Sequence, residues 1–488
     1  MITRSEKMRF PWLPYFFTDI LAITLAYYAT VVFRFRSQIG RRFYDRVTIL
    51  ILDHPAGQTD EMLESFYYAS AFRLIVILAA VICVLYALRH LYAGRRFVLR
   101  FPVAWNVVVS NFVALMFFYT YWYLTRNTHH PRSLFATVIL LNILFCVVLR
   151  VVLQHMLFVA RKRWKIDRCA ALLVGSGPEA ALLEDYLGTE EPHGVYCSAR
   201  LPGLQANPFS DWLKRIAQEA HARHVDLLVV ADPALSIGQI MQVIELSADL
   251  DIPLKLLSDR LDVLITEAQL PCDILYGMPL VHFNAPARSR SVVRKGLTVC
   301  LAACLTVLAA PVLLVIVGLI RWTSPGSAIF KQKRIGINRK PFNIYKFRTM
   351  RHMAEDELAD LEAENQSAGA LFKIKRDPRI TPVGRFLRRF SLDELPQLFN
   401  VVRGEMAIVG PRPLPERDFE KYEEDWHYIR HGGLPGLTCL WQISGRSNLD
   451  FHQMCILDIY YLRNHTWIMD LSIVLQTVRT VLFGIGAY

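Results

Sequence analysis

Two adjacent carboxylates, Asp393 and Glu394, are the residues of this chain whose types and spacing most clearly suggest chemistry. Ser391 and Glu394 have the Ser-x-x-Glu spacing of a capping box, which predicts that a helix begins at Ser391. Capping alone would account for Ser391 and is an alternative role for Glu394. Asp393 would lie in the first turn, where the helix dipole and free N–H groups stabilise an anion. We expect its carboxylate to stay ionised, so that it could attack phosphorus or hold a metal ion.

Basic residues are concentrated on the N-terminal side of these carboxylates. No acidic residue interrupts the stretch Arg321–Arg348, and Asp377 is the only one in Lys373–Arg389. In Tyr345-Lys346-Phe347-Arg348 the cations alternate with rings, so a strand here could present cations on one face and rings on the other. The pattern favours a phosphate site, and the alternative is a basic face lying on anionic lipid.

A second cation, Arg412, stands between two prolines in Gly410-Pro-Arg-Pro-Leu414, after a short strand predicted at Met406–Val409. Because proline fixes φ, the two prolines hold the main chain around one guanidinium. The planar guanidinium suits a phosphate or a base edge. Another isolated arginine, Arg446, follows in the turn-rich stretch Pro435–Arg446.

The N-terminal third of the chain is strongly apolar. The whole chain is 53% hydrophobic and 20% charged, with a net charge of +12. Four stretches reach about the 20 residues that a helix needs to cross a bilayer; they are roughly Phe10–Phe33, Phe66–Leu88, Phe101–Leu124 and Ser133–Ala160. They predict four transmembrane helices within residues 1–160, with buried helices of a soluble domain as the alternative. The composition excludes a disordered or disulfide-rich chain and argues against a nucleic-acid-binding protein.

Basic clusters predict how these helices are oriented. Clusters precede the first apolar stretch, separate the second from the third and follow the fourth, so these three regions should share the cytoplasmic side. The nine cysteines show no zinc-like spacing, which is typical of a reduced, cytosol-facing protein. The first apolar stretch is long and lacks a cleavage-type boundary, so we expect no cleaved signal peptide.

Residues 168–285 predict a small α/β domain. Cys169–Gly175, Val225–Ala231 and Leu254–Leu257 read as buried strands, and Glu179–Leu187 reads as a helix. The stretch from Gly175 to Ala180 fits the loose GxGxxA form of a dinucleotide fingerprint. The second strand, Val195–Leu201, lacks the acidic residue that would hold a ribose. A structural or regulatory domain is therefore favoured over a cofactor-binding one.

A fifth apolar segment, Gly296–Ile320, is long enough to span a membrane but is flanked by basic clusters on both sides. A spanning helix would place one cluster outside, against the distribution of charge that membranes favour. Pro311 lies near its middle, and proline kinks a helix. We therefore predict a re-entrant helix that bends at Pro311 and returns to the cytoplasmic face, with a kinked spanning helix as the alternative.

Residues 288–488 resemble a known family, the bacterial polyprenyl-phosphate sugar-1-phosphate transferases of the monotopic type. The motifs that carry the resemblance occur in order: YKFRTM (Tyr345–Met350), DPRITPVGRFLRR (Asp377–Arg389), SLDELPQLFNV (Ser391–Val401), GPRP (Gly410–Pro413) and PGLT…WQISGR (Pro435–Arg446). The closest likeness is to undecaprenyl-phosphate galactose or glucose phosphotransferases. One departure is Ala310 before Pro311, where family members commonly have Ser-Pro.

The resemblance implies an architecture. The chain would be an integral membrane protein with four N-terminal transmembrane helices, a Rossmann-like α/β domain over 168–285, and a mostly α-helical (α+β) catalytic domain over 288–488 that includes a re-entrant helix at 296–320. It would lie in the bacterial inner membrane with its catalytic domain facing the cytoplasm. The sequence leaves the oligomeric state open, a homodimer included.

The resemblance also implies a reaction and its residues. A hexose 1-phosphate would pass from a UDP-sugar to undecaprenyl phosphate with release of UMP, in the first membrane step of polysaccharide synthesis. Asp393 would form an aspartyl phosphosugar, and Asp393 and Glu394 would hold Mg²⁺, which favours few carboxylates plus substrate phosphates. The residues implied to bind phosphates or uridine are Lys346, Arg388 and Arg412, with Arg348 and Arg446 as further candidates.

Two other classes of protein fit part of the pattern. A membrane-bound nucleotide-sugar dehydratase or epimerase would need a strong dinucleotide fingerprint and a Tyr-x-x-x-Lys pair, and no tyrosine here has lysine four residues later. A non-enzymatic membrane scaffold would not need the set of Lys346, Asp393, Glu394 and Arg412. Formation of a butanol-extractable lipid product from a labelled UDP-sugar separates the three classes.

Overall fold

The computed structural model of the chain describes residues 12–51, 59–89, 91–92, 100–125, 132–164, 168–188, 194–204, 208–257, 259–268, 270, 272–275, 278–284, 292–351, 378–420, 422–444 and 449–482. Two compact units divide the chain. The first consists of Met1–Ala171, Ala181–Ala199 and Asp273–Met278, and the second of Leu172–Ala180, Arg200–Cys272 and Pro279–Tyr488.

The first unit is dominated by long helices. They are α1 (Leu13–Arg36), α2 (Gln38–Ile51), α3 (Asp60–Leu88), α4 (Arg100–Leu124) and α5 (Arg132–Trp164). Helices α1, α3, α4 and α5 coincide with the four predicted apolar stretches, whereas the shorter α2 was not predicted. In the described part of the chain, five helices are long and apolar enough to cross a membrane: these four and one in the second unit. The number that crosses stays a prediction.

A buried polar chain connects these helices. The carboxylate of Asp19 (α1) accepts hydrogen bonds from Arg150 (α5) at 3.0 Å from Nε and 2.6 Å from Nη2. The thiol of Cys146 also donates to Asp19, at 3.1 Å. Asn142 donates to Asn111 across the α4–α5 boundary. The buried charge of Asp19 is thus paired with that of Arg150.

An α/β layer follows. Its elements are β1 (Cys169–Val174), α6 (Pro178–Gly188), β2 (Val195–Leu201), α7 (Phe209–Ala222), β3 (Leu227–Ala231), α8 (Ile237–Asp249), β4 (Leu254–Leu257), α9 (Asp262–Thr266), β5 (Asp273–Leu275) and β6 (Met278–Phe283). The sheet order is β2-β1-β3-β4-β6-β5. Strands β3 and β4 pair in parallel, with Leu228 opposite Leu254, whereas β4 and β6 are antiparallel. The three predicted strands and the predicted helix are confirmed.

The rest of the second unit begins with one long helix, α10 (Val292–Thr323), which contains Pro311. The helix is continuous through the proline, and its part Thr298–Thr323 is long and apolar enough to cross a membrane. Re-entry at Pro311 therefore stays a prediction. Ile316 and Ile320 of α10 form a buried cluster with Phe347 and Leu387, so α10 packs directly against the region that carries the candidate site.

Short elements complete this region. They are β7 (Ile329–Ile335), β8 (Pro341–Phe347), α11 (Pro382–Arg389), a 3₁₀ helix (Leu392–Gln397), α12 (Leu398–Val402), β9 (Ala407–Val409), α13 (Glu416–Phe419), a second 3₁₀ helix (Asp425–Gly432), β10 (Gly436–Thr438), α14 (Leu440–Ile443), α15 (Phe451–Asn464) and α16 (Trp467–Leu482). Strands β7 and β8 form an antiparallel hairpin, and β9 pairs in parallel with β10. The strand predicted at Met406–Val409 is confirmed as β9.

Candidate active site

The carboxylate pair is placed by a sharp turn after α11. Ser391 has a φ of 51°, in the left-handed region that few side chains adopt, and the 3₁₀ helix Leu392–Gln397 starts directly after it. The Ser391 side chain makes no capping hydrogen bond. The predicted capping box is therefore wrong, because the Glu394 carboxylate reaches two cations instead of the backbone at Ser391. The turn puts Asp393 and Glu394 at the start of a short helical segment, as predicted.

Glu394 is held by two cations from distant parts of the chain. Its Oε1 accepts hydrogen bonds from Lys346 Nζ at 2.8 Å and from Arg412 Nη2 at 2.7 Å. Burial opposes ionisation, but Arg412 and Lys346 outweigh burial and hold the pKa of Glu394 well below its usual range. Glu394 is therefore a permanent anion that holds the two cations together.

Asp393 has a different environment although it is the next residue. Its side chain is 9% exposed, and it accepts no hydrogen bond from any residue that the structure describes. Burial and the charge of Glu394 raise the pKa of Asp393, while Lys346, Arg388 and Arg412 act in the opposite direction. The sequence predicted a stably ionised carboxylate at a helix start, and the structure instead gives a carboxylate whose ionisation depends on the surrounding cations.

Arg388 approaches Asp393 because α11 lies almost in contact with the main chain of Thr349. A Cβ on Gly384 would stand 2.0 Å from the Thr349 carbonyl oxygen, so only glycine fits there. Thr381 caps α11 by accepting from Gly384 N, and its hydroxyl also donates to the Thr349 carbonyl. Arg388 Nε then donates to Thr349 Oγ1 at 2.9 Å. The close packing of α11 on Thr349, which follows β8, fixes the direction of the Arg388 side chain.

Lys346 is positioned by strand β8. The strand alternates as predicted, since Lys346 reaches Glu394 while Phe347 is buried against α10. Asn400, which is fully buried, accepts from Tyr345 N at 3.1 Å and donates to Asn343 O at 2.7 Å. This side chain ties the helical segment after Asp393 to the strand that carries Lys346. Sequence reasoning missed Asn400. The detectable signal was a single asparagine inside the apolar run Leu398–Val402, because a polar side chain buried in such a run needs hydrogen-bond partners.

Arg412 is the second cation that binds Glu394. It bonds both carboxylate oxygens, at 2.7 Å and 3.4 Å, and its guanidinium lies 6.0 Å from the ring centroid of Trp441. Burial disfavours the charge, but Glu394 outweighs it and raises the pKa of Arg412. Lys346 and Arg412 therefore converge on one carboxylate, in agreement with the sequence-based grouping of these residues.

A third cation, Arg334 of β7, lines the same small cavity as Lys346 and Arg412. Burial and the like charge of Arg412 lower the pKa of Arg334 to about 10. Arg334 Nη1 donates to the Pro413 carbonyl at 3.0 Å, while its buried Nε has no partner among the described residues. Sequence reasoning missed this residue because Arg334 looked like one more member of a basic stretch. The cavity thus has more positive than negative charge.

The remaining predicted site residues are Arg348, Arg446 and Pro311. Arg348 donates to the carbonyls of Pro325 and Ser324, at 2.6 Å and 2.8 Å, just beyond the C-terminal end of α10. Its guanidinium therefore binds two carbonyls that follow the helix, and a role in substrate binding stays a prediction. Arg446 lies outside the described residues. Pro311 lies inside α10.

The carboxylates fit a magnesium ion that takes most of its ligands from elsewhere. No group of three or more acidic, histidine or cysteine side chains suited to a metal occurs within the described residues. Mg²⁺ is often bound by one or two carboxylates plus substrate phosphates and water. Asp393 has lone pairs that no described residue occupies, whereas Glu394 shares its oxygens with Lys346 and Arg412.

The glycine-rich turn of the α/β layer is closed by its own chain. Gly203 N donates to Ser176 Oγ at 2.7 Å, and Leu204 N donates to the buried carboxylate of Asp232 at 2.6 Å. A Cβ on Gly203 would lie 2.9 Å from Ser176 N, so the segment covers the N–H groups that would hold a phosphate. The structural or regulatory role that the sequence favoured for this domain stays a prediction.

A separate cleft of about 1200 Å³ lies elsewhere in the second unit. Its walls come from α8, from the outer side of the Asp425–Gly432 helix and from α15, including Glu245, Tyr428 and Arg463. Asp393 and Glu394 are not among the residues that line this cleft. The cleft is therefore distinct from the candidate active site.

Two family models match the chain. Residues 289–484 match the family described as bacterial sugar transferase, and residues 86–257 match one described as a CoA-binding domain. The exopolysaccharide production protein ExoY of Sinorhizobium fredii is 38% identical over 200 residues, which are 40% of this chain and 88% of that protein. The chain belongs to the bacterial sugar transferase family.

Longer relatives carry more specific names. The undecaprenyl-phosphate galactose phosphotransferase of Salmonella typhimurium is 44% identical over 167 residues, 33% of this chain and 35% of that protein. The UDP-glucose:undecaprenyl-phosphate glucose-1-phosphate transferase of Escherichia coli is 31% identical over 304 residues, 60% of this chain and 62% of that protein. Several of the curated relatives are thus matched over only about a third to under half of their length. Family membership agrees with the resemblance seen in the motifs.

Proposed function

We propose that this protein is a membrane phosphoglycosyl transferase. It moves a hexose 1-phosphate from a UDP-sugar to undecaprenyl phosphate and yields undecaprenyl-diphosphate-sugar and UMP. The observation that carries the proposal is the environment of the carboxylate pair. Glu394 is clasped by Lys346 and Arg412, while the neighbouring Asp393 accepts no hydrogen bond within the described residues. One carboxylate organises cations for phosphates, and the other is left able to react.

The chemistry follows from this difference. Asp393 attacks the phosphorus that carries the sugar, an Asp393 oxygen–phosphorus bond forms, and the bond from that phosphorus to the bridging oxygen breaks. UMP leaves with the bridging oxygen. An oxygen of undecaprenyl phosphate then attacks the aspartyl phosphosugar and restores the Asp393 carboxylate. Proximity of the cations lowers the cost of bringing anions together, which is the main difficulty in phosphoryl transfer.

The cations have separate tasks in this scheme. Arg412 and Lys346 bind the diphosphate, because their hydrogen-bond donors already converge at Glu394. Arg388 favours the ionised form of Asp393, since its charge opposes the rise in pKa that burial causes. The family implies Mg²⁺, which Asp393 and Glu394 would hold. When bound, the ion would neutralise phosphate charge.

The membrane location follows from the nature of the two substrates. A nucleotide sugar is soluble in water, whereas the acceptor phosphate is attached to a long lipid. An active site packed on α10, which is apolar over Thr298–Thr323, can meet both at a membrane surface. We place the protein in the bacterial inner membrane with Asp393 on the cytoplasmic side, where the nucleotide sugar is made.

The candidate sugars are glucose and galactose. Relatives named for each sugar match the chain, and the two hexoses differ at one hydroxyl. A dehydratase or epimerase finds no support in the α/β layer, whose glycine-rich turn is closed by Gly203. The proposed product would begin the assembly of an extracellular polysaccharide.

One assay tests the proposal. The purified protein in lipid nanodiscs is given undecaprenyl phosphate and each UDP-sugar in turn, with label in the sugar for one series and in the uracil for the other. We expect the sugar label to enter the butanol phase and the uracil label to stay in water as UMP. Release of UDP, or conversion of the sugar with no lipid product, would exclude the proposed reaction.

A further inference from the structure

The loop that carries Arg412 has an unusual main chain. In the run Pro411-Arg412-Pro413-Leu414, the two prolines have no N–H group to donate. The backbone can therefore be fixed chiefly through its carbonyl oxygens. All four carbonyls accept hydrogen bonds: that of Pro411 from Gly436 N at 2.9 Å, and that of Leu414 from Ile335 N at 3.1 Å.

The two middle carbonyls are bound by arginine side chains. Arg334 Nη1 donates to the Pro413 carbonyl at 3.0 Å, and Arg430 Nη2 donates to the Arg412 carbonyl, also at 3.0 Å. Arg430 belongs to the 3₁₀ helix Asp425–Gly432 and is 2% exposed. The main chain of Arg412, whose own guanidinium binds Glu394, is thus held by the guanidinium of Arg430.

Arg430 is itself anchored inside the protein. Its Nη2 also donates to Asp458 Oδ2 of α15, and its Nη1 donates to the Tyr422 hydroxyl at 3.2 Å. The side chain of Asp458 is 1% exposed. The ion pair between Arg430 and Asp458 therefore joins the Asp425–Gly432 helix to α15 inside the protein.

Stability alone does not explain this ion pair. Replacing a buried ion pair with apolar residues of similar volume is often neutral or even stabilising. An apolar pair, however, could not donate to the Arg412 carbonyl. We propose that Arg430, fixed by Asp458 and Tyr422, is a positioning residue that sets the main chain of Arg412 and thereby the aim of its guanidinium at the nucleotide phosphates. The inference rests on the function proposed above, in which Arg412 binds those phosphates.

A double-mutant cycle tests the inference. The paired variant Arg430→Met with Asp458→Leu removes both charges and leaves no unpaired ion behind. We expect it to keep its melting temperature but to lose about tenfold or more in kcat/KM for the UDP-sugar, the scale of one hydrogen bond from a charged donor. In an Arg412→Ala background, the same paired change should alter kcat/KM by no more than about twofold. That is the usual scatter in tests of additivity, so the loss would then depend on Arg412.

The cycle has a matched control and a second variant. Glu219 on α7 and Arg223, which follows the last residue of α7, form an ion pair at the surface. Changing Arg223 to Met and Glu219 to Leu should leave transfer unchanged. Should the buried paired variant fail to fold, Arg430→Lys retains a cation beside Asp458 but lacks the fork that reaches both partners. It should weaken UMP binding, measured by calorimetry, only while Arg412 is present.

The outcomes separate the two claims. The positioning role is supported by two results together. The unmodified protein carries out transfer that Arg412→Ala weakens, and the kcat/KM losses of Arg412→Ala and of the Arg430 and Asp458 paired variant are not additive. Equal losses with and without Arg412 would mean that Arg430 acts on the fold in general, and they would overturn the inference alone. Absence of transfer and of UMP binding by the unmodified protein would overturn the proposed function and this inference with it.

Discussion

Asp393 and Glu394 are neighbours in the chain, yet their surroundings move their pKa values in opposite directions. Burial and the Glu394 charge raise the pKa of Asp393, whereas Arg412 and Lys346 outweigh burial and lower that of Glu394. The same cations affect both residues, but only Glu394 forms direct hydrogen bonds with them. Direct contact with the cations therefore distinguishes the two residues: Glu394 is paired, and Asp393 accepts no hydrogen bond from the described residues.

Asp393→Asn should abolish transfer and should not lower stability. An aspartate whose pKa is higher in the folded than in the unfolded state costs stability once the pH exceeds its ordinary value of about 3.9. The asparagine variant should therefore melt at or above the wild-type temperature at pH 7, and the difference should shrink towards pH 4. Asp211→Asn, on an exposed part of α7, is the matched control. Near-normal transfer by Asp393→Asn would rule out the covalent step.

Arg388→Gln should shift the acid limb of the pH–rate profile. The nucleophile must be ionised, and Arg388 is one of the cations that lower the pKa of Asp393. Without Arg388, the fall of kcat/KM on the acid side should occur at higher pH. Arg385→Gln, on the exposed side of the same helix, should leave the limb in place. An unchanged limb in Arg388→Gln would show that Arg388 does not act on Asp393.

Alanine variants of Lys346, Arg412 and Arg348 should distinguish residues that bind substrate from a residue that stabilises the fold. Lys346→Ala and Arg412→Ala should each weaken transfer by about 1.5–3 kcal/mol, the value of a hydrogen bond to a charged group. Arg348→Ala should instead lower the melting temperature, because Arg348 binds the carbonyls of Ser324 and Pro325. UMP titration and thermal unfolding of the three proteins would test this. A loss of UMP affinity in Arg348→Ala at unchanged stability would contradict the assignment.

The buried pair in the first unit should behave as an ion pair in a low-dielectric environment. Asp19→Leu alone leaves Arg150 buried without its carboxylate and should cost about 3–5 kcal/mol. The double variant Asp19→Leu with Arg150→Leu should be more stable than either single variant. Thermal unfolding in one detergent measures all four proteins. A double variant that is as unstable as the sum of the singles would exclude energetic coupling between the two residues.

If α10 re-enters as predicted, residues before and after it share one side of the membrane. Cysteines at His224 and Lys340, placed in a background without accessible native thiols, should both resist an impermeant thiol reagent in intact cells. Both should react after the inner membrane is opened. Labelling of one site from outside would show that α10 spans. Pro311→Leu is expected to straighten the helix, to favour spanning and to lower transfer.

Much of the fold could be predicted because its signals are local. The apolar stretches coincide with α1, α3, α4 and α5, and the buried strands β1, β3 and β4 were recognisable from runs of branched and apolar residues. Short polar elements such as α2 lack that signal. The alternation that aims Lys346 at the site and Phe347 at the core also follows from strand geometry alone.

The finer geometry of the site could not be predicted, because it depends on contacts between distant residues. A capping box at Ser391 was a sound local interpretation, but the Glu394 carboxylate binds Lys346 and Arg412 instead of the backbone N–H of Ser391. Arg348 was a further candidate for the site, yet its guanidinium binds the carbonyls beyond α10. Arg430 could not be placed at all from sequence, since its three partners belong to separate elements.

The closed turn of the α/β layer decides what a ligand would have to displace there. The Asp232 carboxylate accepts from Leu204 N, and Gly203 N donates to the Ser176 hydroxyl, so the segment after β2 lies directly against the turn. A Cβ on Gly203 would lie 2.4 Å from Asp232 Oδ2, so only glycine fits this close approach. An anion entering the turn would therefore have to move the segment away, and it would then face the negative charge of Asp232.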